Sequence, residues 1–390
     1  MHLIYLSTYG GEMFSGVNKK IFSQASHLYK LGIDIRLVLV GGLNKNYPDN
    51  NFTQYLSLQE NFFFTSNLIK KLYRQYLAKQ YIKKVIKFSD PSTILYLRYP
   101  LPVLLLPRDL SGQRNCKIVI ECNSIEINEL KKSKLYFSYL LELLLGEGFR
   151  KRCDAIIGIT DEITAYQIKR SGNPDIPHMT LGNGFEVNAV PIRQTPTNCG
   201  SNLNIICVAD IAVWHGVDRL IQAIAQYKGS WNIQLHIIGR GDEVPHLKNL
   251  VTTLGINDHI IFHGFVHGED LDRLFDQNHI AVGSLGIHRI GLSQLSTLKA
   301  REYCARGIPY IIACSDPDFP DDFPYILRLP AEDSPIDMNQ VIMFASRICQ
   351  DVHHSHKMRQ YASENLDWSV KMKKLKGFLE GLSKEECLTR

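Results

Sequence analysis

Several common sequence signatures are missing from this chain of 390 residues. Its nine cysteines stand singly, without a CxxC pair, so neither a zinc ribbon nor a dithiol redox motif is expected. No apolar run approaches the roughly 20 residues of a membrane span, and the run Met1–Leu6 predicts a strand rather than a signal peptide. Because several cysteines lie within apolar runs, we expect reduced thiols and a cytoplasmic protein.

Charge and hydrophobicity are ordinary for a globular protein. The formal net charge is +5, 45% of the residues are hydrophobic and 21% are charged. This mild positive charge gives no reason to expect a nucleic-acid partner. At 390 residues the chain is too long for one ordinary hydrophobic core, so two domains are expected.

Buried strands alternate with helices along the whole chain, which predicts two α/β series. The first series opens with a strand, a glycine-rich loop (Thr8–Gly16), a helix and a second strand, which together predict a βαβ unit. This loop is not GxGxxG and no acidic residue ends the second strand, so a dinucleotide site is only weakly indicated. Residues 188–202 contain Pro and Gly without periodicity and predict a linker, after which the second series begins at Leu203.

One predicted helix, Asn67–Phe88, is strongly basic, and no acidic residue occurs between Glu60 and Asp90. Its apolar residues recur at helical spacing, which predicts one packed face. Two interpretations stay open: attraction to an anionic membrane surface or a lipid-phosphate acceptor, or an ordinary packed helix with a solvated basic face. Its cations are Lys70, Lys71, Arg74, Lys79, Lys83, Lys84 and Lys87.

The stretch Gly291–Ile312 combines features of an anion-binding site. A polar loop precedes a helix that Ser296 or Thr297 can cap, because a hydroxyl there accepts a hydrogen bond from the first turn. Exposed N–H groups and the helix dipole both favour an anion, and Lys299 and Arg301 add positive charge. The alternative is that both cations are solvated surface residues.

Several short motifs, taken in order, resemble those of one enzyme family. The motifs are Gly10-Gly11 with Gly16, Asn183-Gly184-Phe185-Glu186, Gly239-Arg240-Gly241 with Glu243, Ile261-Phe262-His263-Gly264-Phe265-Val266, and Glu302-Tyr303-Cys304-Ala305-Arg306-Gly307-Ile308-Pro309. Each is weak alone, but their order and spacing resemble the family 4 glycosyltransferases of the GT-B fold. The segment Trp214–Arg219 resembles a WHG-x-DR variant of capsule and lipopolysaccharide-type members.

The resemblance implies two Rossmann-like domains that face each other across a cleft, with the C-terminal helix crossing back to the first domain. Residues 1–187 with 368–390 would bind the acceptor, 188–202 would be the linker, and 203–367 would bind the nucleotide sugar. The implied activity is retaining transfer from a UDP- or GDP-sugar to a glycan or lipid-linked acceptor. It would serve cell-surface polysaccharide or glycolipid synthesis, without a metal or other cofactor, in the cytoplasm or at the cytoplasmic face of the membrane.

The sequence departs from the family pattern at three positions. Gln294 replaces the first of two motif glutamates, and an amide can bond a sugar hydroxyl but supplies no charge. Asp210 and His215 stand where an Arg and a Lys usually neutralise the diphosphate, so His215 would help only when protonated. We infer that Lys299 and Arg301 replace the missing cations.

The resemblance also assigns roles to single residues. Glu302, Gln294 and Glu121 are the candidate catalytic residues: Glu302 would bind ribose, Gln294 would hold the sugar, and Glu121 would orient the acceptor. Asn123 and Glu126 would contact the acceptor, although all three N-terminal residues could instead be surface polar groups. The candidate donor-binding residues are Gly16, Gly239, Arg240, Phe265, Val266, Ser293, Ser296, Lys299, Arg301, Glu302 and His215. No nucleophile is assigned, because retention in this family is ascribed to front-face attack.

Three alternatives remain at this stage. Asp316-Pro317-Asp318 has the letters of an Asp-x-Asp metal site, although it lies in a proline-rich loop. A nucleotide-sugar epimerase of the same fold would use the same donor motifs. A non-catalytic nucleotide-sugar-binding scaffold would account for Gln294, Asp210 and His215.

Overall fold

The chain folds into two compact units. The computed structural model describes residues 1–8, 16–40, 51–56, 67–99, 114–132, 134–196 and 200–384. The first unit comprises Met1–Gly182 with Trp368–Arg390, and the second comprises Asn183–Asp367. The division therefore falls before the boundary predicted at residue 187.

The first unit is built on a parallel sheet. Its strands are β1 (His2–Ser7), β2 (Asp34–Val40), β3 (Thr53–Leu56), β4 (Thr93–Arg98), β5 (Lys117–Cys122), β6 (Ala155–Gly158) and β7 (His178–Thr180). Their spatial order is β3-β2-β1-β4-β5-β6-β7. Apolar runs predict all of them except β3, which is short and carries two polar residues.

The helices of the first unit are α1 (Gly16–Lys30), α2 (Asn67–Phe88), α3 (Glu126–Lys132), α4 (Tyr136–Arg150) and α5 (Asp161–Ser171). The sequence pattern over 131–152 predicts a single helical region, where the structure has the end of α3 and then α4. Lys134 explains the break, because its φ of 54° is left-handed and cannot continue an α-helix.

The second unit is also a parallel α/β sheet. Its strands are β8 (Asn202–Val208), β9 (Asn232–Ile238), β10 (Ile260–Gly264), β11 (Ile280–Val282), β12 (Tyr310–Ile312) and β13 (Ile326–Arg328), in the spatial order β10-β9-β8-β11-β12-β13. Its helices are α6 (Val217–Gln226), α7 (Val244–Leu254), α8 (Glu269–Gln277), α9 (Leu298–Arg306), α10 (Met338–Cys349) and α11 (His354–Tyr361). Two such sheets confirm the predicted pair of Rossmann-like domains.

The order of strands reverses direction between β8 and β11 in the second unit. In the first unit it reverses between β1 and β4. Ligands of open α/β sheets bind outside the carboxyl ends of the strands at such a reversal. The loops that follow β8 and β11 are therefore where a ligand of the second unit is expected.

The last helix, α12 (Trp368–Lys384), belongs to the first unit and packs against α1. The Lys376 ammonium donates to the carbonyl of Leu31 at 2.9 Å. Lys117 on β5 donates to the carbonyl of Leu382. The predicted return of the C-terminal helix to the first domain is confirmed.

The predicted linker, 188–202, is packed into the second unit over its described part. Arg193 is buried, and its backbone N–H donates to the carbonyl of Arg306 at 2.9 Å. Its guanidinium donates to the carbonyls of Gly307 and Asn278. The predicted linker is thus part of the second unit, because a buried arginine holds this segment to the end of α9.

The cysteines differ in one respect from the expectation of reduced thiols. Six of those within the described residues are free, and five of these are buried. Cys349, at the end of α10, is disulfide-bonded. Among the described residues, no helix is long and apolar enough to cross a membrane.

Candidate functional site

The loops after β8 and β11 meet at the reversal of the second sheet. The N–H of Leu285 donates to the carbonyl of His215 at 2.9 Å, and the N–H of Gly286 donates to that of Trp214 at 3.2 Å. Gly216 has a φ of +61°, and a Cβ there would lie 2.6 Å from the nitrogen of Gly286. A side chain would separate the two loops, so glycine is required at this position.

The glycine loop after β9 packs against the loop that follows β8. The N–H of Ile211 donates to the carbonyl of Arg240 at 2.5 Å. Gly239 and Gly241 have φ of +125° and +140°, and a Cβ on either would overlap a carbonyl oxygen, of Ala209 or of Ile211. The Gly-x-Gly motif therefore lets two loop backbones touch, which brings the carboxyl ends of β8 and β9 together.

Lys299 lies in the first turn of α9, beside the loop after β11. Thr297 caps the helix by accepting the N–H of Ala300 at 3.3 Å, which leaves the first N–H groups of α9 without helical partners. The Lys299 ammonium donates to the carbonyl of Gly283 at 2.9 Å. Within the described residues it has no carboxylate partner; the residue is half-buried, and the burial of its ammonium group lowers the pKa to about 8. An unneutralised cation beside free N–H groups is a site for an anion.

His215 does not supply the missing positive charge. Burial, together with the nearby Lys299 ammonium, lowers the pKa of His215 to about 2. Its Nδ1 accepts the N–H of Ala212 at 3.0 Å, which a protonated nitrogen could not do. The imidazole is therefore neutral and supplies no positive charge to a diphosphate.

Arg301 is fully buried and bound to carboxylates. It donates to both oxygens of Asp316 and to Asp318. Burial alone would lower the pKa of this guanidinium, but the carboxylates outweigh it and raise the pKa above its usual value. The assignment of Arg301 to the diphosphate is wrong, because its donors face the protein interior. The Asp-x-Asp metal alternative fails for the same reason, since both carboxylates are occupied.

The predicted sugar-binding loop is held by two backbone attachments. The N–H of Leu295 donates to the carbonyl of Ser315 at 2.9 Å, and the N–H of Ser315 donates to that of Ser293 at 3.0 Å. Gln294 pairs with Ser315 in this short parallel bridge. Ser296 is buried, and its hydroxyl accepts the N–H of Asn183 at 2.7 Å. Ser296 thus fixes the loop, while Ser293 lies on its exposed side.

Glu302 lies on α9 close to Lys299, and its side chain is 24% exposed. One carboxylate oxygen accepts a hydrogen bond from Arg306 at 2.9 Å, and Arg306 also pairs with Asp272 on α8. The second oxygen has no hydrogen-bond partner among the described residues. A carboxylate held by one partner keeps acceptor capacity for a pair of hydroxyls.

An exposed aromatic and a cation lie together after β9 and β10. The Arg240 guanidinium stands 5.3 Å from the centre of the Phe265 ring. Phe265 is 60% exposed, and Val266 beside it is half-buried against the core. This pair offers a flat apolar surface on which an aromatic ring can stack.

The WHG-x-DR segment joins the two site loops. Asp218 forms two hydrogen bonds with Arg289, at 2.9 and 2.8 Å, and Arg289 also binds Asp333 at 2.6 Å. Arg219 is buried and donates to the carbonyls of Leu285, Pro330 and Ser334. The hydrogen bonds of this segment thus stabilise the loop after β11. Arg289 was not predicted from the sequence, because it lies far from Asp218 along the chain and no motif links the two residues.

In the first unit, Glu121 is buried at the end of β5. It accepts hydrogen bonds from Tyr96 at 2.6 Å, Gln24 at 3.1 Å and Asn123 at 3.1 Å, and it pairs with Lys20. Burial would raise its pKa, but the Lys20 and Arg98 charges outweigh burial and lower the pKa to about 2. Glu121 is therefore an ionised anchor for Asn123 rather than a base.

Glu126 does not face a ligand. It is buried between Gln167, which donates to it at 2.5 Å, and Arg150, at 3.1 Å. Burial, opposed in part by Arg150, raises its pKa to about 7. The acceptor assignment is wrong, because α3 turns this carboxylate into the helical layer. Gly16 begins α1, and Gly10-Gly11 lie outside the described residues.

Residues 193–313 match the family model of the group 1 glycosyl transferases. An uncharacterised glycosyltransferase of Methanocaldococcus jannaschii is 27% identical over 109 residues, which is 28% of this chain and only 26% of that relative.

Two solved structures are similar over nearly the whole chain. Sucrose-phosphate synthase of Thermosynechococcus elongatus has a TM-score of 0.69 at 16% identity, over 98% of this chain and 99% of its own. Anabaena HepE, in complex with UDP, has a TM-score of 0.64 at 14% identity, over 98% of this chain and 100% of its own. Identities this low establish the fold alone, and that fold is GT-B.

Proposed function

We propose that this protein is a glycosyltransferase that moves a sugar from a nucleotide-diphosphate sugar to an acceptor hydroxyl. The observation that carries the proposal is Lys299, an unneutralised ammonium group at the start of α9 and at the reversal of the second sheet. The match of residues 193–313 to the group 1 glycosyl transferases supports it. So does the likeness of the fold to that of a protein solved with UDP.

In the proposed arrangement, Lys299 and the first N–H groups of α9 hold the diphosphate. Glu302 binds the ribose hydroxyls, and the base stacks on Phe265 beside Arg240. The backbone of the loop at Ser293 and Gln294 holds the sugar. Fixed donors that face the leaving phosphate stabilise the charge that develops on it, without a metal.

The proposed reaction proceeds with retention at the anomeric carbon. The bond from that carbon to the phosphate oxygen breaks, and the acceptor oxygen bonds to the same carbon on the same face. The acceptor proton passes to the departing phosphate, so no enzyme nucleophile is needed. On the acceptor side, Asn123 is held by Glu121 and Lys20 and is the proposed contact to a glycan or lipid-linked acceptor of a cell-surface polymer.

A screen of UDP-, GDP- and ADP-sugars by thermal shift tests the donor class. One base is expected to raise the melting temperature, because a ligand at 100 times its Kd stabilises the native state by about 2.7 kcal/mol. Product analysis then separates the activities: transfer that requires an acceptor supports the proposal. Sugar conversion without an acceptor would indicate an epimerase, and binding without turnover a scaffold.

Glu302→Gln is expected to weaken UDP or GDP binding by roughly 10- to 100-fold, because a hydrogen bond to a charged group contributes about 1.5–3 kcal/mol. Pyrophosphate, which has no ribose, should bind both forms equally. Isothermal titration with both ligands makes the comparison. Glu269→Gln on α8, whose side chain is 93% exposed, is the matched control. Equal loss of pyrophosphate binding would contradict the ribose role.

A further inference from the structure

Helix α4 of the first unit exposes a continuous apolar surface. Its outward residues recur at intervals of three and four, as one face of a helix requires. They are Leu135 at 46% exposure, Tyr136 at 65%, Phe137 at 66%, Leu140 at 53%, Leu143 at 39% and Leu144 at 68%. We call these six residues the α4 apolar face. Single exposed apolar residues are normal, but a contiguous set marks an interaction site.

Two of the three charged residues of the same helix point inward, and the third, Glu147, is exposed near its end. Glu142 and Arg150 are fully buried and pair at 2.7 Å. Tyr99 donates to Glu142 at 2.9 Å, and the Arg150 guanidinium lies 4.4 Å from the centre of the Tyr99 ring. Gly146 lies between the pair, and a Cβ there would overlap both side chains. A helix with a buried ion pair beneath it and a largely apolar outward surface is suited to an apolar surrounding medium.

The basic helix α2 covers the same face of the first sheet as α4. Ala78 and Ile82 of α2 and Phe149 of α4 belong to one core cluster. On the outward side of α2, Lys83, Lys84 and Lys87 are exposed, beside Phe88 at 71% exposure.

The ends of α4 carry further charges. Lys131 and Lys134, just before α4, are also exposed. Two acidic side chains of α3 and α4 are exposed: Glu129, and Glu147, which pairs with Lys151 at 2.7 Å.

We propose that the α4 apolar face inserts into the interface of an anionic lipid bilayer, with the α2 lysines at the headgroups. Aromatic residues beside lysines at the start of α4 match the interfacial preference of both residue types. The surplus of exposed lysines favours anionic lipid over a second copy of this chain, which would bring the same charges together. Docking would present lipid-linked acceptors to the first unit, and this consequence alone rests on the proposed function.

Vesicle sedimentation without any nucleotide tests the insertion. The protein is expected to sediment with vesicles of equal parts phosphatidylglycerol and phosphatidylcholine, and to bind pure phosphatidylcholine more weakly. Phe137→Ser/Leu140→Ser/Leu144→Ser should lower binding at least tenfold. Met343→Ser/Val352→Ser, which removes apolar residues of 71% and 74% exposure from the second unit, should bind as the parent does.

A second variant separates insertion from simple attraction. Lys83→Glu/Lys84→Glu should abolish the preference for phosphatidylglycerol, whereas the serine variant should keep the preference at reduced affinity. Failure of the parent to sediment, or equal binding by the serine variant, would overturn the proposal. A parent dimer in light scattering that the serine substitutions convert to a monomer would assign the face to self-association instead. None of these outcomes depends on donor binding or turnover.

Discussion

Replacing Lys299 by alanine is expected to reduce sugar transfer by about 100- to 1,000-fold, the usual effect of removing one donor to a developing oxyanion. The fold should tolerate the change, because within the described part of the chain Lys299 makes one hydrogen bond, to the carbonyl of Gly283, and has no carboxylate partner. Initial rates at saturating donor and acceptor, with a melting curve for each protein, measure both effects. Lys228→Ala, at an exposed lysine after α6, is the control.

The pH dependence of donor binding tests the role of Lys299 in a second way. Burial places the pKa of Lys299 at about 8 in the free protein, so the ammonium form predominates below that pH and is lost above it. Donor affinity should therefore be full below pH 8 and fall as the pH rises through it. The alanine variant should lack this decline. Parent-like transfer by Lys299→Ala, or an unchanged decline, would remove Lys299 from the site.

Replacing Arg301 by alanine is expected to destabilise the protein by about 3–5 kcal/mol, because Asp316 and Asp318 would be left without their cation. In a unit of this size each kcal/mol lowers the melting temperature by roughly 2–4 °C. Calorimetry measures the shift. Arg273→Ala, at a pair whose arginine is 63% exposed, should change stability by at most about 1 kcal/mol.

A combined variant distinguishes the ion cluster from other effects of truncation. Arg301→Met with Asp316→Asn and Asp318→Asn should recover part of the lost stability, because removing both partners avoids an unpaired buried charge. If Arg301→Ala instead keeps the parent melting temperature and loses donor binding, the guanidinium is a donor ligand after all.

Lys299 and Arg301 mark how far the sequence could be interpreted. Two residues apart on a helix, they point to different sides, and the assignment of both to the diphosphate overlooked this. Arg301 is neutralised by Asp316 and Asp318, which follow β12 in the chain. No local sequence pattern indicates that these carboxylates contact Arg301. The burial that keeps His215 neutral could not be predicted from the sequence either, because the residues that cover this histidine are not identified by the loop in which it lies.

In the first unit, too, the strands could be predicted from the sequence but the partners of the buried carboxylates could not. Apolar runs predicted β4 and β5 with their observed bounds, because strands buried on both faces have a continuous hydrophobic pattern. Glu121 was correctly placed at the end of β5, but its partners come from α1 and β4, far away in the chain. The inward turn of Glu126 depends on Arg150, which lies at the opposite end of α4.

The attachment of Asn183 to the sugar-binding loop has a mechanical consequence. Asn183 is the first residue of the second unit; it donates to Ser296, and its carbonyl accepts from Arg301 at 3.0 Å. At the other crossing, the carboxylate of Asp367 accepts the N–H of Val187 at 3.2 Å. At both places where the chain passes between the units, the backbone is thus held to the second unit by hydrogen bonds. Loss of the Ser296 hydroxyl would therefore loosen the first residue of the second unit together with the loop.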